Sequence, residues 1–220
     1  MRPRRGYGLK SAFVNRAALL ALITLLLAPL PAMATTRILA FGDSLTAGYG
    51  LPSTAEAFPA KLAARLNADG YAVDITNGGI SGDTTAGGLA RLDWALGGHP
   101  DIVLLELGAN DALRGIDPKL TAANLDAMLQ KLTAAHIKVL LLGMEAPGNW
   151  GTDYKKSFDA IYPSLARKYN VPLYGFFLDG VALDPSLNQP DMLHPNESGV
   201  GVIVARIAPY LERLLGKPAS

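Results

Sequence analysis

The chain has 220 residues, half of them hydrophobic, 18% charged and none of them cysteine. A disulfide framework and a thiolate metal site are therefore excluded. Basic and acidic residues nearly balance, 20 Lys and Arg against 19 Asp and Glu, which speaks against the clustered basic surface of a nucleic-acid binder.

The charges are unevenly placed. Residues 1–34 carry Arg2, Arg4, Arg5, Lys10 and Arg16 and no acid. The apolar block AALLALITLLLAPL follows within them, and the segment closes on the small residues Ala32 and Ala34. Basic start, short apolar middle and small-x-small end are the parts of a secretory signal peptide. The block stops short of the roughly 18–20 residues that a bilayer span needs. The reading is a leader cleaved after Ala34, an exported product (periplasmic or secreted), and no stable membrane anchor once the leader is removed. Residues 35–220 then hold 15 Lys and Arg against 19 Asp and Glu, a net charge of −4. They suit one domain with a substantial core.

Within 35–220, short aliphatic runs alternate with longer amphipathic stretches. The first run, at 37–41, ends abruptly in Gly42-Asp43-Ser44, with glycines at 48 and 50 beyond. Ser44 is there either a nucleophile at a strand end or the cap of a helix. AEAFPAKLAARLNADG places Phe58, Leu62 and Leu66 at four-residue spacing and closes on a glycine, as a helix does. A second strand is expected at 71–76. It leads into NGGISGDTT, which contains Gly82 and alone reads as a turn with a helix cap at Asp83 or Thr84. The run at 102–107 is followed by Gly108-Ala109-Asn110-Asp111. LTAANLDAMLQKLTAAH repeats apolar residues at 125, 128, 129 and 132, again a helix. A fourth strand at 137–142 precedes YKKSFDAIYPSLARKYN, a helix that Pro163 should interrupt. After a fifth strand at 171–174 comes Asp191-Met192-Leu193-His194-Pro195 and a last helix in NESGVGVIVARIAPYLERLL.

Strands alternating with helices imply a parallel sheet covered on both faces. Continuous apolar runs such as IVLLEL fit strands buried on both sides. The expected fold is α/β: a three-layer α/β/α sandwich on a five-stranded parallel sheet of flavodoxin-like order. Ligands of such sheets sit beyond the carboxyl ends of the strands, so chemistry is sought in the loops there.

The chain has three histidines. His99 and His136 precede strands and belong to the opposite edge; only His194 follows the last strand. Serine needs a base to take its proton, and His194 is the available one. An acid must hold the imidazole in one tautomer. Asp191, three residues back, can reach it through a turn, with Asp179 and Asp184 as alternatives. Donors for a tetrahedral oxyanion are the N–H groups of Ser44 and Gly82 and the side-chain amide of Asn110.

In this order the motifs FGDSLTAG, ISGDTT, GAND and DMLHP resemble the GDSL or SGNH hydrolases, whose name records an active-site Ser, Gly, Asn and His. They map to Ser44, Gly82, Asn110 and His194, and Asp191 matches the family's triad acid. The likeness runs from about residue 37 to 210. NGGISGDTTAGGLARL, LGANDALRG and FDAIYPSLARKYNVPL look most like its acyl-CoA thioesterase, lysophospholipase and arylesterase branch. The resemblance implies hydrolysis of small-molecule acyl esters and thioesters through an acyl-enzyme, without a cofactor, and a mobile loop at 113–118. Leu45, Ile80, Leu113, Ile116, Trp150 and Met192 are candidates for the acyl-contacting wall.

Two other readings were open. The glycine-rich loop at Gly42 could cradle a phosphate in a non-catalytic binding module, although it has neither glycine-rich phosphate fingerprint. A metal-dependent esterase lacks a plausible ligand set, because two of the three histidines belong to the wrong edge.

Overall fold

Five parallel strands stand in the order β2-β1-β3-β4-β5: β1 (Thr36–Gly42), β2 (Val73–Gly79), β3 (Ile102–Glu106), β4 (Lys138–Leu142) and β5 (Leu173–Tyr174). This is the flavodoxin-like order expected for the sheet. The computed structural model describes residues 34–216 and Met1; the leader expected over 1–34 lies, but for its two end residues, outside the described residues.

Each strand forms where the sequence is β-branched or aliphatic and each stops at a polar or glycine residue. In β1, Ile38, Leu39, Ala40 and Phe41 are all buried, and all five residues of β3 are. A strand buried along every residue has helices over both faces, which is why the alternation of an antiparallel sheet is absent. The first and third strands register Ile38 on Ile102 through Gly42 on Glu106, so the Gly42 turn and the Glu106 carboxyl lie side by side. The second strand runs on to Gly79, past its expected end. The fifth is only two residues long, because Pro172 precedes it and Gly175 follows.

The helices are α1 (Ser44–Ala47), α2 (Phe58–Ala68), α3 (Thr85–Ala95), α4 (Ala109–Leu113), α5 (Pro118–Ala134), α6 (Thr152–Asp159), α7 (Ile161–Tyr169) and α8 (Glu197–Leu215). They pack as two sets: α2 with α8, and α3 with α5 and α7. Phe58, Leu62 and Leu66 of α2 are fully buried, as are Leu125, Met128, Leu129 and Leu132 of α5. These are the residues that the helical spacing selects. Pro163 does not kink one long helix. The chain breaks at Ala160 into α6 and α7, and Pro163 falls in the first turn of α7, where no intrahelical N–H is needed.

The helix α3 has no strong sequence signature, since Gly87 and Gly88 interrupt its apolar spacing. Both glycines are there for room. A Cβ on Gly88 would run into the Leu107 side chain, and one on Gly87 into the Asp83 carboxylate. The caps are polar side chains at the right places: Asp43 on α1, Thr84 on α3, Asp117 on α5 and Asn196 on α8. Among the described residues no helix is long and apolar enough to cross a membrane.

Candidate active site

The loops after β1, β2, β3 and β5 meet over the carboxyl edge of the sheet. Asp43 caps α1 by accepting the Leu45 N–H at 3.0 Å, so Ser44 is the first helical residue and its hydroxyl is left free. His194 Nε2 lies 2.9 Å from Ser44 Oγ, and His194 Nδ1 lies 2.7 Å from Asp191 Oδ2. Ionised Asp191 can only accept, so it fixes the proton on Nδ1 and leaves Nε2 to accept from the serine.

Asp191 reaches back because its own loop is tightly curled. Its Oδ1 accepts the N–H groups of Leu193 at 3.0 Å and His194 at 3.1 Å, and Met192, between Asp191 and Leu193, takes a left-handed φ of 60°. Partial burial works against the charge, but these three hydrogen bonds prevail and hold the Asp191 carboxyl at about 2. The alternative acids are occupied elsewhere: Asp179 pairs with Arg206, and Asp184 accepts from Ser186. His99 and His136 are exposed and precede β3 and β4, at the opposite edge of the sheet.

Two contacts tie the histidine loop to the serine loop. The Tyr49 ring packs against the His194 ring, centroids 4.7 Å apart. Gln189 donates to the Tyr49 carbonyl at 2.7 Å, and its own N–H reaches the His194 carbonyl at 2.8 Å. Neither contact is legible in the chain, since both residues are ordinary loop polar groups until it is folded.

Gly82 has φ +83°, a conformation that L side chains resist, and a Cβ there would meet Arg114 Nη2 at 3.8 Å. Its carbonyl accepts from Arg114 at 2.9 Å. Asn110, in α4, donates one amide hydrogen to Asp43 Oδ2 at 3.2 Å. The carboxylate therefore fixes which end of the amide is which, and leaves the second amide hydrogen for the groove that Asn110 and Ser44 both line.

Beneath Ser44 lies a buried carboxyl pair. Asp43 and Glu106 are both inaccessible to solvent. Burial pushes the Asp43 carboxyl up to about 6, against hydrogen bonds from Leu45 and Asn110. Burial, together with the neighbouring Asp43 charge, raises Glu106 well above the ordinary carboxylate range. Its Oε2 accepts from Thr46 Oγ1 at 2.7 Å and from the Asp43 N–H at 3.3 Å, while Oε1 has no partner. The sequence did carry a signal for this group: a glutamate closes the otherwise apolar strand IVLLE.

A groove of about 870 Å³ opens from these residues. Ser44, Gly82, Asn110, Asp191 and His194 line it, and of the expected wall Leu45, Leu113 and Met192 do so. Ile80, Ile116 and Trp150 do not. Ile80 is an exposed residue at the end of β2. Trp150 lies behind the loop after β3 instead of in the groove: its Nε1 donates to the Ala112 carbonyl at 2.9 Å, and its indole covers Gly115, where a Cβ would come within 2.8 Å. Tyr154 adds a hydrogen bond to the Ile116 carbonyl at 2.9 Å. The wall that sequence reasoning missed comes from Met144 and Ala146 after β4 and from Phe176 and Leu178 after β5.

A phosphate cradle at Gly42 is not supported. The four-residue helix α1 is capped by the Asp43 carboxylate, which would repel an anion.

The chain is similar to known proteins over most of its length. Residues 40–202 match the model of the GDSL-like lipase/acylhydrolase family. The chain is 40% identical over 197 residues to thioesterase 1/protease 1/lysophospholipase L1 of Escherichia coli K12, covering 89% of this chain and 93% of that protein. It is 39% identical over 198 residues to an arylesterase of Vibrio mimicus, covering 90% and 98%. Among solved structures it superimposes on TesA with a TM-score of 0.77 at 39% identity, over 81% of this chain and 99% of the other.

Proposed function

Given that the chain belongs to the GDSL-like lipase/acylhydrolase family and is an ester hydrolase, we propose that Ser44, His194 and Asp191 are its catalytic triad and that it cleaves acyl esters and thioesters through an acyl-enzyme. One observation carries this reading: an unbroken hydrogen-bonded line from Asp191 through His194 to Ser44 opens directly on an apolar groove.

In the first step His194 Nε2 takes the hydroxyl proton as Ser44 Oγ bonds to the acyl carbon. The charge that develops on the carbonyl oxygen is met by the N–H groups of Ser44 and Gly82 and by the free amide hydrogen of Asn110. The acyl–oxygen or acyl–sulfur bond then breaks, and the leaving alcohol or thiol carries away the proton held by His194. Water repeats the sequence: it gives a proton to His194, its oxygen bonds to the acyl carbon, and the acid leaves as Ser44 regains its hydrogen. Asp191 stays ionised throughout, because its hydrogen bonds keep it at about 2, and it stabilises the imidazolium in both half-reactions.

The groove supports an acyl chain as the bound part of the substrate. Its wall passes from the end of β1 over β3 and β4 to the loop after β5. Three strand spacings cover about 14 Å, which suits an acyl chain of medium length lying across the strand ends. The names of the relatives, thioesterase, lysophospholipase and arylesterase, fit an ester or thioester substrate.

The test is hydrolysis of p-nitrophenyl esters from acetyl to palmitoyl, with acyl thioesters in parallel. Turnover should rise from acetyl to a maximum among the medium chains and should vanish in Ser44→Ala. A Ser44→Ala protein as active as the parent would end this reading. Residues 1–34 are proposed to be an export leader; the exported protein should begin at Thr35 on N-terminal sequencing.

A further inference from the structure

We propose that Arg91 is a positioning residue for the oxyanion site: its guanidinium sets the gap between the loop that carries Ser44 and the loop that carries Gly82. The proposal rests on the assignment of those donors above and adds a residue that touches neither substrate nor reacting atoms.

Arg91 lies on α3, one turn beyond Gly87, and its side chain turns inward to the ends of β1 and β2. Three different acceptors surround it. Nη2 donates to the Gly42 carbonyl at 2.9 Å, Nη1 to the Gly78 carbonyl at 2.9 Å, and Nε to Asp83 Oδ2 at 2.6 Å. The guanidinium carbon sits 4.0 Å over the Phe41 ring. Only 15% of the Arg91 side chain and 14% of the Asp83 side chain are exposed. Gly42 precedes Asp43-Ser44, and Asp83 follows Gly82. One rigid fork therefore grips the residue two before one proposed donor and the residue just after another.

The surrounding sequence is arranged for that grip. The Gly42 carbonyl also accepts the Ile80 N–H at 3.1 Å, so both loops converge on a single oxygen. Gly87 has no side chain where a Cβ would displace the Asp83 carboxylate. A desolvated ion pair is a weak source of net stability, because an apolar pair of similar size can replace it at little cost. What an apolar pair cannot do is fix two carbonyls and a carboxylate in one plane. Lysine cannot do so either, since its ammonium is a point charge on a flexible stem.

An oxyanion hole works only if its donors are held where charge will appear, and an error of about 1 Å in such placement costs about 10²-fold. Arg91→Lys and Asp83→Asn should thus lower kcat by ~10- to 100-fold while KM changes by less than ~3-fold, the signature of an interaction used in the transition state alone. The experiment uses the full chain and p-nitrophenyl butyrate, with circular dichroism to establish folding and Ser44→Ala alongside. Inactivation by a p-nitrophenyl phosphonate should slow in step with kcat.

Wild-type kcat in either folded variant, or a rise in KM with kcat kept, would overturn the proposal. Failure of both variants to fold would overturn it too, by making Arg91 a residue of stability alone. Should Ser44→Ala stay active, the fault would lie with the triad assignment; should Ser44→Ala be inactive while Arg91→Lys matches the parent, only the role of Arg91 would fall.

Discussion

Asp43→Asn separates the stability and the catalytic consequences of the charge under Ser44. In the folded protein the carboxyl titrates at about 6, against 3.8 for a free aspartate. That difference of about two units is worth ~3 kcal/mol, at about 1.4 kcal/mol per unit. Asp43 is fully buried, so no solvent screening reduces the figure. The sign follows from a raised folded value. Below pH 3.8 the group is neutral in both states and costs nothing; between about pH 4 and 6 the unfolded chain ionises first and the folded state loses stability as pH rises. The neighbouring Glu106 shifts in the same direction, and the loss belongs to the pair.

Asparagine keeps the cap, because its Oδ1 still accepts the Leu45 N–H, and it removes the buried charge. Urea unfolding from pH 4 to 8 should show the variant gaining on the parent through this window, to an advantage of ~2–3 kcal/mol at neutral pH. Activity should move the other way. The new amide presents hydrogens to the Asn110 amide where the carboxylate accepted one, so Asn110 loses its fixed orientation and kcat falls by ~10²-fold, as for loss of one oxyanion donor. A stability difference that stays flat from pH 4 to 8 would refute the assignment of the buried charge. A more stable variant with parental kcat would refute the orienting role.

Asp191→Asn should lower kcat by ~10⁴-fold with the fold intact, since the imidazole loses its tautomer control. In the parent, Asp191 adds stability above its ordinary range that is lost as pH falls from about 4 toward 2, and acid unfolding of the variant should lack that component. Trp150→Ala removes the hydrogen bond to Ala112 and the cover over Gly115. Limited proteolysis should then cut within 113–117, and KM for long acyl esters should change more than kcat. Gly88→Ala forces a methyl group into Leu107 and should destabilise the protein by ~1–3 kcal/mol in urea unfolding.

Much of this architecture is legible in the chain. Runs such as IVLLE and KVLLL announce doubly buried strands, and the four-residue spacing of Phe58, Leu62 and Leu66 announces a helix, because burial of one stripe is what makes each element stable. The rule that ligands gather at strand ends points to four loops, the family resemblance then picks out Ser44, Gly82, Asn110, Asp191 and His194 in them, and the folded chain does bring these five together. What could not be read depends on distance across the fold. The α3 glycines look like helix breakers until Asp83 and Leu107 are seen to need the space. Trp150 is a bulky residue in the right loop, yet its indole N–H finds the Ala112 carbonyl and it packs behind the wall. In the chain Ser44 is the candidate cap; only the folded structure gives that place to Asp43, and only the register of β1 on β3 shows that Glu106 lies against it.

The proposed function rests on Ser44 as the nucleophile and His194 as its base. Its most direct measurement is mass mapping of the protein after reaction with a p-nitrophenyl phosphonate, in the parent, Ser44→Ala and His194→Ala. One adduct per chain is expected, on the peptide containing Ser44, formed much more slowly in His194→Ala and absent in Ser44→Ala. An adduct on another residue, or one that forms at the parental rate without His194, would contradict it.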